Sequence, residues 1–261
     1  MGDIYLIPDR NRIKESMELA KQYGAYFEYN DFFSPAVLED AERIEELIAF
    51  YEGLDRDRSK DTLHGAFLDV TIHSDDPVIR AASEHRVRQC MEIAERLGIR
   101  GVVFHTNTIP NFRVDFYQKN WLACNEKFWR QILKEFPNLS VFMENMFDEE
   151  PDLLAQLAEK MQDEERFGVC FDYAHAQVFG YDIDDWMEQL SKFVKHMHIN
   201  DNNLVADLHL SVGSGQIDWN IFNAKMQEKA IDASVLVEVK DLEVQKKSLE
   251  YMQDKRIYPY I

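Results

Sequence analysis

Eight short apolar runs, each followed by a stretch with helical spacing, constrain this chain more than any other feature. The runs begin at Ile4 (IYLI), Ala25 (AYFEY), Leu63 (LHGAF), Gly101 (GVVFH), Val141 (VFMEN), Gly168 (GVCFD), His196 (HMHIN) and Val235 (VLVEV). Each is only a few residues long and mostly apolar at successive positions, as expected of a strand buried on both faces of a parallel sheet. The intervening segments change period. Val87, Cys90, Met91, Ile93, Ala94 and Leu97 recur at spacings of three and four, and Gly98 follows as a helix stop. Pro151 opens another helix that runs through Leu153 and Leu154 to Met161. Strand then helix, eight times over, predicts an α/β fold, a single (β/α)8 TIM barrel. No composition shift, linker or low-complexity run marks a boundary, so residues 1–261 read as one barrel. The longest connection without clear periodicity, Thr106 to Asn120, falls after the fourth strand, on the face where barrel enzymes place their chemistry.

Charge narrows the partners. With 48 acidic and 29 basic residues the formal charge is −19. Such a chain is not drawn non-specifically to nucleic acid or to anionic lipid. Its opening, Met1-Gly2-Asp3-Ile4-Tyr5, lacks the cationic and apolar segments of a signal peptide, and no window approaches the roughly 18 apolar residues of a membrane span. Cys90, Cys124 and Cys170 stand apart, without a C-x-x-C pair, which excludes a disulfide framework or zinc knuckle and fits a reducing cytoplasm. Cys90 and Cys170, in apolar surroundings, read as core residues.

Six consecutive runs each carry one metal-competent side chain. His64 lies in the third, His105 ends the fourth, Glu144 the fifth, Asp172 the sixth, His198 the seventh and Glu238 the eighth. A charged group in a barrel interior must be paired or bound to a metal. One such residue is ordinarily a satisfied core polar group; six in register would each need a separate partner. Asp172 and His175, spaced i, i+3 at a strand-to-helix turn, can face one site, and Asp207 and His209 follow the seventh run, just before Gly213-Ser-Gly215.

With these residues in place, the motifs LHGAFLDV, VVFHTN, VFMEN, GVCFDYAHA, HMHIND, DLHLSVGSGQIDW and LVEV together resemble the xylose isomerase-like TIM barrel superfamily. That superfamily contains sugar and sugar-phosphate isomerases and epimerases, and also endonuclease IV-type apurinic/apyrimidinic endonucleases. The resemblance to the isomerases implies one divalent ion held by Glu144, Asp172, His198 and Glu238. The resemblance to the endonucleases implies three zinc ions on His64, His105, Glu144, Asp172, His175, His198, Asp207, His209 and Glu238, and every one of these positions carries the required residue type. The expected cofactor is therefore one to three divalent ions, zinc (Zn2+) or manganese (Mn2+).

Other features oppose DNA. The segment after the second run, Tyr29-Asn-Asp-Phe-Phe-Ser-Pro, has no Lys or Arg, and Glu28 and Asp31 would repel phosphate. Phe67 and Leu68 match intercalating positions of the endonucleases but fit barrel packing equally. Phe67, Asn107, Tyr117 and Lys240 are the substrate-binding candidates; Phe112 could line the same pocket and Arg113 could bind an anion. His196 reads as a core histidine, and His73 and His85 as exposed. Trp121, Asn125, Phe128 and Trp129 pack a helix on the barrel, Asp218 caps another, and the acidic runs Glu39 to Glu46 and Asp148 to Asp152 are solvated faces and caps.

The first functional expectation is a metal-dependent isomerase or epimerase of a small carbohydrate-like molecule. There Glu144 and Glu238 would be acid/base pair as well as ligands, Asp172 and His198 would complete the ion's shell, and His175 would orient the substrate. The second is a zinc phosphodiesterase of the endonuclease IV type, and the third a lyase or binding subunit built on the same pocket. Nucleic acid is disfavoured as a partner, no membrane is expected, and a homo-oligomer stays open.

Overall fold

The computed structural model describes residues 2–261. Eight parallel strands close into a barrel in chain order. They are β1 (Ile4–Leu6), β2 (Tyr26–Tyr29), β3 (Thr62–His64), β4 (Gly101–His105), β5 (Ser140–Glu144), β6 (Phe167–Asp172), β7 (Val194–Ile199) and β8 (Ser234–Val237). Each is followed by a crossover helix: Ile13–Tyr23, Ala41–Glu52, Pro77–Leu97, Asp115–Glu135, Asp152–Lys160, Ile183–Leu190, Trp219–Glu228 and Leu242–Lys255. Helix starts account for part of the acidity. The side chains of Asp40, Asp76, Asp182, Asp218 and Asp241 each accept a backbone N–H of the helix they open. Gly98 ends the Pro77–Leu97 helix at φ 65°, a left-handed position that costs glycine little.

The two-residue period of a strand sorts each run into two faces. Leu63, Val102, Phe104, Val141, Met143, Val169, Phe171, Met197, Ile199, Val235 and Val237 join the main core between strands and helices. The alternate residues point inward, and toward the N-terminal end of the barrel they form two small apolar clusters, Val103 with Phe142 and Cys170, and Tyr5 with Ile7 and Leu236. One step further along each strand the inward residue is His64, His105, Glu144, Asp172, His198 or Glu238. Cross-strand register places them level, with His105 opposite Glu144 and Asp172 opposite His198. The polar ends of the runs are thus one layer of the barrel interior.

Three expectations shift. The long connection ends at Val114, because the next helix already begins at Asp115. His85 is exposed as expected, but sits well inside the Pro77–Leu97 helix. Asp148 is not a solvated cap: it is buried, and accepts from the hydroxyls of Thr106 and Thr108 and the Met146 N–H. Among the described residues, no helix is long and apolar enough to cross a membrane.

Candidate metal centre

The inward layer and the loops above it assemble three groups of ligand atoms, each within 4.8 Å of one another. His64, His105 and Glu144 form one; Glu144, Asp172, His198 and Glu238 a second; His175, Asp207 and His209 a third. Glu144 belongs to the first two, with Oε2 lying 3.0 Å from His105 Nε2 and Oε1 3.0 Å from His198 Nδ1. The nine residues named from the endonuclease resemblance therefore converge on one face.

Close approach does not make these contacts hydrogen bonds. Both oxygens of Glu144, both ring nitrogens of His105 and of His198, Asp172 Oδ2, Asp207 Oδ1 and Glu238 Oε2 are buried without a hydrogen-bond partner. Orphaned polar atoms cost about 1–3 kcal/mol each, and a cluster of them with mixed imidazole and carboxylate donors fits a divalent ion of the zinc or manganese kind. The imidazoles are aimed for such a role. His64, His175 and His209 turn Nδ1 to the main-chain carbonyls of Gly65, Asn145 and Glu238 at 3.0, 3.0 and 2.7 Å. That leaves Nε2 of each facing the carboxylates, the arrangement in which a backbone acceptor fixes a ligating ring.

Charge points the same way. Among the described residues no Lys or Arg pairs with Glu144, Asp172, Asp207 or Glu238; their ionic neighbours are all histidines. Burial pushes the Asp172 carboxyl well up despite His175 beside it. Burial also acts on Glu144, but His198 and His105 outweigh it and hold that carboxyl well below the usual range. His209 is driven down by burial, yet Glu238 and Asp207 raise it to about 10.

Sequence reasoning missed Glu28. It is not a loop acid repelling phosphate but an inward residue of β2, fully buried, with Oε1 3.1 Å from His198 Nε2. The signal was present: a Glu in AYFEY falls at an inward position of the two-residue period. Asp31, the other supposed repellent, is paired with Arg10 at 2.8 Å and with the Tyr51 hydroxyl.

The substrate-binding candidates separate. Phe67 stands at the site, its ring edge-on to His64 and His105 at centroid distances of 5.8 and 5.3 Å. Asn107 takes a left-handed turn with φ 48° directly after β4, its side-chain amide reaching back to the His105 carbonyl. Tyr117 packs against Phe112 and His73, and its hydroxyl accepts the Ile109 N–H. Tyr117 and Phe112 line a separate side pocket that contains none of the ligand residues. Lys240 is exposed, and Arg113 is engaged by Glu149 and Glu150 at 3.5 and 3.0 Å. His73 is buried rather than exposed, and burial lowers it to about 4. His196 is a core histidine beneath the layer. Although Cys170, His196 and His198 also lie within 4.8 Å, both His196 nitrogens are engaged, by Ser234 and Glu28, and burial holds the Cys170 thiol well up.

A family model described as xylose isomerase-like TIM barrel matches residues 17–255. The chain belongs to that family. Protein MJ1614 of Methanocaldococcus jannaschii is 26% identical to it, over 95% of this chain and 91% of that one. Apurinic-apyrimidinic endonuclease 1 of Plasmodium falciparum is 25% identical over 76% of this chain but only 34% of its own length. Two solved structures share the fold at a TM-score of 0.74. The TTHB071 protein from Thermus thermophilus, soaked with ZnCl2, is 24% identical, with 97% of each chain covered. A D-tagatose 3-epimerase-like protein is 21% identical, with 97% and 96% covered. Family members are enzymes of both kinds, epimerases and endonucleases.

Proposed function

We propose that this protein is a multinuclear metal-dependent hydrolase of phosphoesters. One observation carries the reading: three ligand groups, two of them joined at Glu144, share a single face of the barrel. His64, His105 and Glu144 would hold one ion, Glu144, Asp172, His198 and Glu238 a second, and His175, Asp207 and His209 a third. Divalent ions there would supply Lewis-acid charge to a phosphoryl oxygen and acidify a water. The charge balance favours this substrate class. Four ligating carboxylates contribute −4 and three divalent ions would contribute +6, leaving a site of about +2 matched to a phosphate.

The chain's own residues supply the rest. Glu238 is 7% exposed, at the solvent edge of the layer, and its Oε2 is unpartnered. It is positioned to take the proton of an attacking water. Phe67 stands edge-on to His64 and His105, and the Glu28 carboxylate lies 3.1 Å from His198 Nε2, where its charge favours a cationic partner. Arg86, on the Pro77–Leu97 helix, and Arg113, after β4, are paired with Glu39, Glu149 and Glu150, while Lys240 stays exposed after β8; with two of its cations paired, the mouth suits a short phosphoester better than a polyanion.

A second reading, an isomerase or epimerase, has its own support in the Glu144/Asp172/His198/Glu238 group, where two glutamates could exchange a proton beside a carbonyl. The two readings part on metal count and on chemistry. Zinc-loaded protein should hold two or three ions per chain, as about that number of sites is built, and should cleave bis(4-nitrophenyl) phosphate, with Glu238→Gln slowing it by about 10²–10⁴. A single ion per chain, no cleavage, and C–H exchange of a ketose in D2O would sink the hydrolase and establish the isomerase.

A further inference from the structure

A cavity of about 320 Å3 opens beside the ligand cluster, lined by Phe33, Pro35, Ala66, Phe67, Leu68 and Val70 with Ala82, Ser83 and Arg86 behind them. Its size lies within the range of small-molecule pockets, and its walls are mainly apolar, as such pockets are. It shares one wall with the candidate metal centre. The Phe67 ring meets His64 and His105 on one side and Phe33 on the other, the last at a centroid distance of 5.0 Å. A molecule whose phosphate sat on the ligand cluster would therefore reach the cavity across a single aromatic ring.

Of the polar side chains in its wall, Arg86 and Ser83 are already engaged, and the Ser34 hydroxyl is a single neutral group without a partner among the described residues. Arg86 is bound to Glu39 and Gln89, and the Ser83 hydroxyl donates to the Ile79 carbonyl and accepts the Thr71 N–H. Neither offers a free cation or donor to a sugar chain or a second phosphate, and Asp69 on the rim would repel the latter. Apart from the Ser34 hydroxyl, what remains is mainly apolar surface. Leu68, 57% exposed, lies outside the main core and lines the cavity.

We infer that this cavity takes the apolar portion of the substrate, and that the substrate is a phosphoester carrying an aromatic or similarly compact apolar group. The inference rests on the phosphoester reading of the centre and adds the chemistry of the other half of the molecule. Phe67 provides an aromatic face against which a ring can stack or meet edge-on. Burying such a group in a preformed apolar pocket strengthens binding without adding charge.

Equilibrium binding to the zinc-loaded protein tests it without requiring turnover. The probes are 1-naphthyl phosphate, inorganic phosphate and 2-naphthylmethanol, followed by the naphthyl fluorescence or by competition. The naphthyl ester should bind at least about tenfold tighter than inorganic phosphate, about 1.4 kcal/mol. Ala82→Trp, at an exposed helix position, should fill the cavity and erase that preference while leaving inorganic phosphate unchanged. Leu68→Asp, also exposed, should weaken the ester in the same direction, with circular dichroism showing that both variants fold. Equal affinity for the ester and for phosphate, or a preference that survives Ala82→Trp, overturns the subsite and leaves the phosphoester reading standing. Failure of inorganic phosphate to bind at all, with 2-naphthylmethanol still bound and displaced by Ala82→Trp, overturns the phosphoester reading and the substrate class with it.

Discussion

Two polar layers lie one above the other inside the barrel, and they are built on opposite principles. In the upper one, Glu144, Asp172, His105, His198 and Glu238 crowd together with their inner atoms unbonded. In the lower one, polar atoms find partners, Glu28 Oε1 excepted. Thr62 donates to Glu28 Oε2 at 2.7 Å, and His196 bridges Ser234 and that same oxygen at 2.7 and 3.2 Å. On the helix-facing side of the same strands Asp61 accepts from the Phe27 N–H, Arg56 and the Tyr29 hydroxyl at 2.8, 2.7 and 2.6 Å. Both layers are buried and both contain histidine and carboxylate. What distinguishes them is the degree of satisfaction: a nearly closed hydrogen-bond network is structure, whereas a gathering of orphaned ligand atoms of the right type is a seat for something else.

The sharpest way to break this contrast is at Glu144, which the two inner ligand groups share. Glu144→Ala should leave only the His175/Asp207/His209 seat, so zinc per chain falls to about one equivalent. His105→Ala should remove about one equivalent and spare the four-ligand ion. Elemental analysis of the two variants giving the same value as wild type would show that the upper layer is not a multi-ion centre.

Glu28 joins the layers, and its removal should sharpen the comparison. Glu28→Gln keeps the shape but loses the charge against His198 Nε2. Metal affinity should fall by about 10–100-fold, the usual effect of losing such a supporting group, as read by competition with a chromophoric chelator. Unchanged affinity would make Glu28 purely structural.

His196→Phe should do the converse. Glu28 Oε2 and Ser234 each lose a partner, costing about 1–3 kcal/mol in a denaturant melt, while the metal count holds. A lost ion would place His196 in the centre after all.

The smallest effect is a matter of protons. In the metal-free protein His209 titrates at about 10, above its unfolded value near 6.5. Its charge therefore stabilises the metal-free fold fully below about 6.5, and that contribution fades as pH rises through about 10. An ion on Nε2 must displace that proton, so loading at about pH 8 should acidify a weakly buffered solution and tighten as pH rises. Zinc uptake with no proton release would remove His209 from the ligands.

Much of this is written in the chain in plain form. The alternation of strand and helix specifies the barrel because each run is apolar on its helix-facing side, and the nine candidate ligand positions fall at six strand ends, at His175 one helical turn past Asp172, and in the Asp207/His209 loop pair. What stays hidden depends on which way a residue points or what it meets. Glu28 reads as a loop acid while its run is weighed by hydrophobicity, not by which of its residues face inward. Tyr117 lies on the right loop but turns away into a side pocket with Phe112. His73 is hidden by Tyr117 and Trp121, contacts across 44 residues or more that no local pattern announces.

The aiming of the imidazoles bears on how such a centre endures as its sequence drifts. His64, His175 and His209 are held by main-chain carbonyls, which no codon change can delete. Their orientation is inherited with the barrel. His198, by contrast, has no main-chain acceptor among the described residues; the neighbour of its Nε2 is a side chain, Glu28, at 3.1 Å. A single substitution on β2 would therefore alter the surroundings of the His198 seat while leaving the backbone-held imidazoles of the other two as they are.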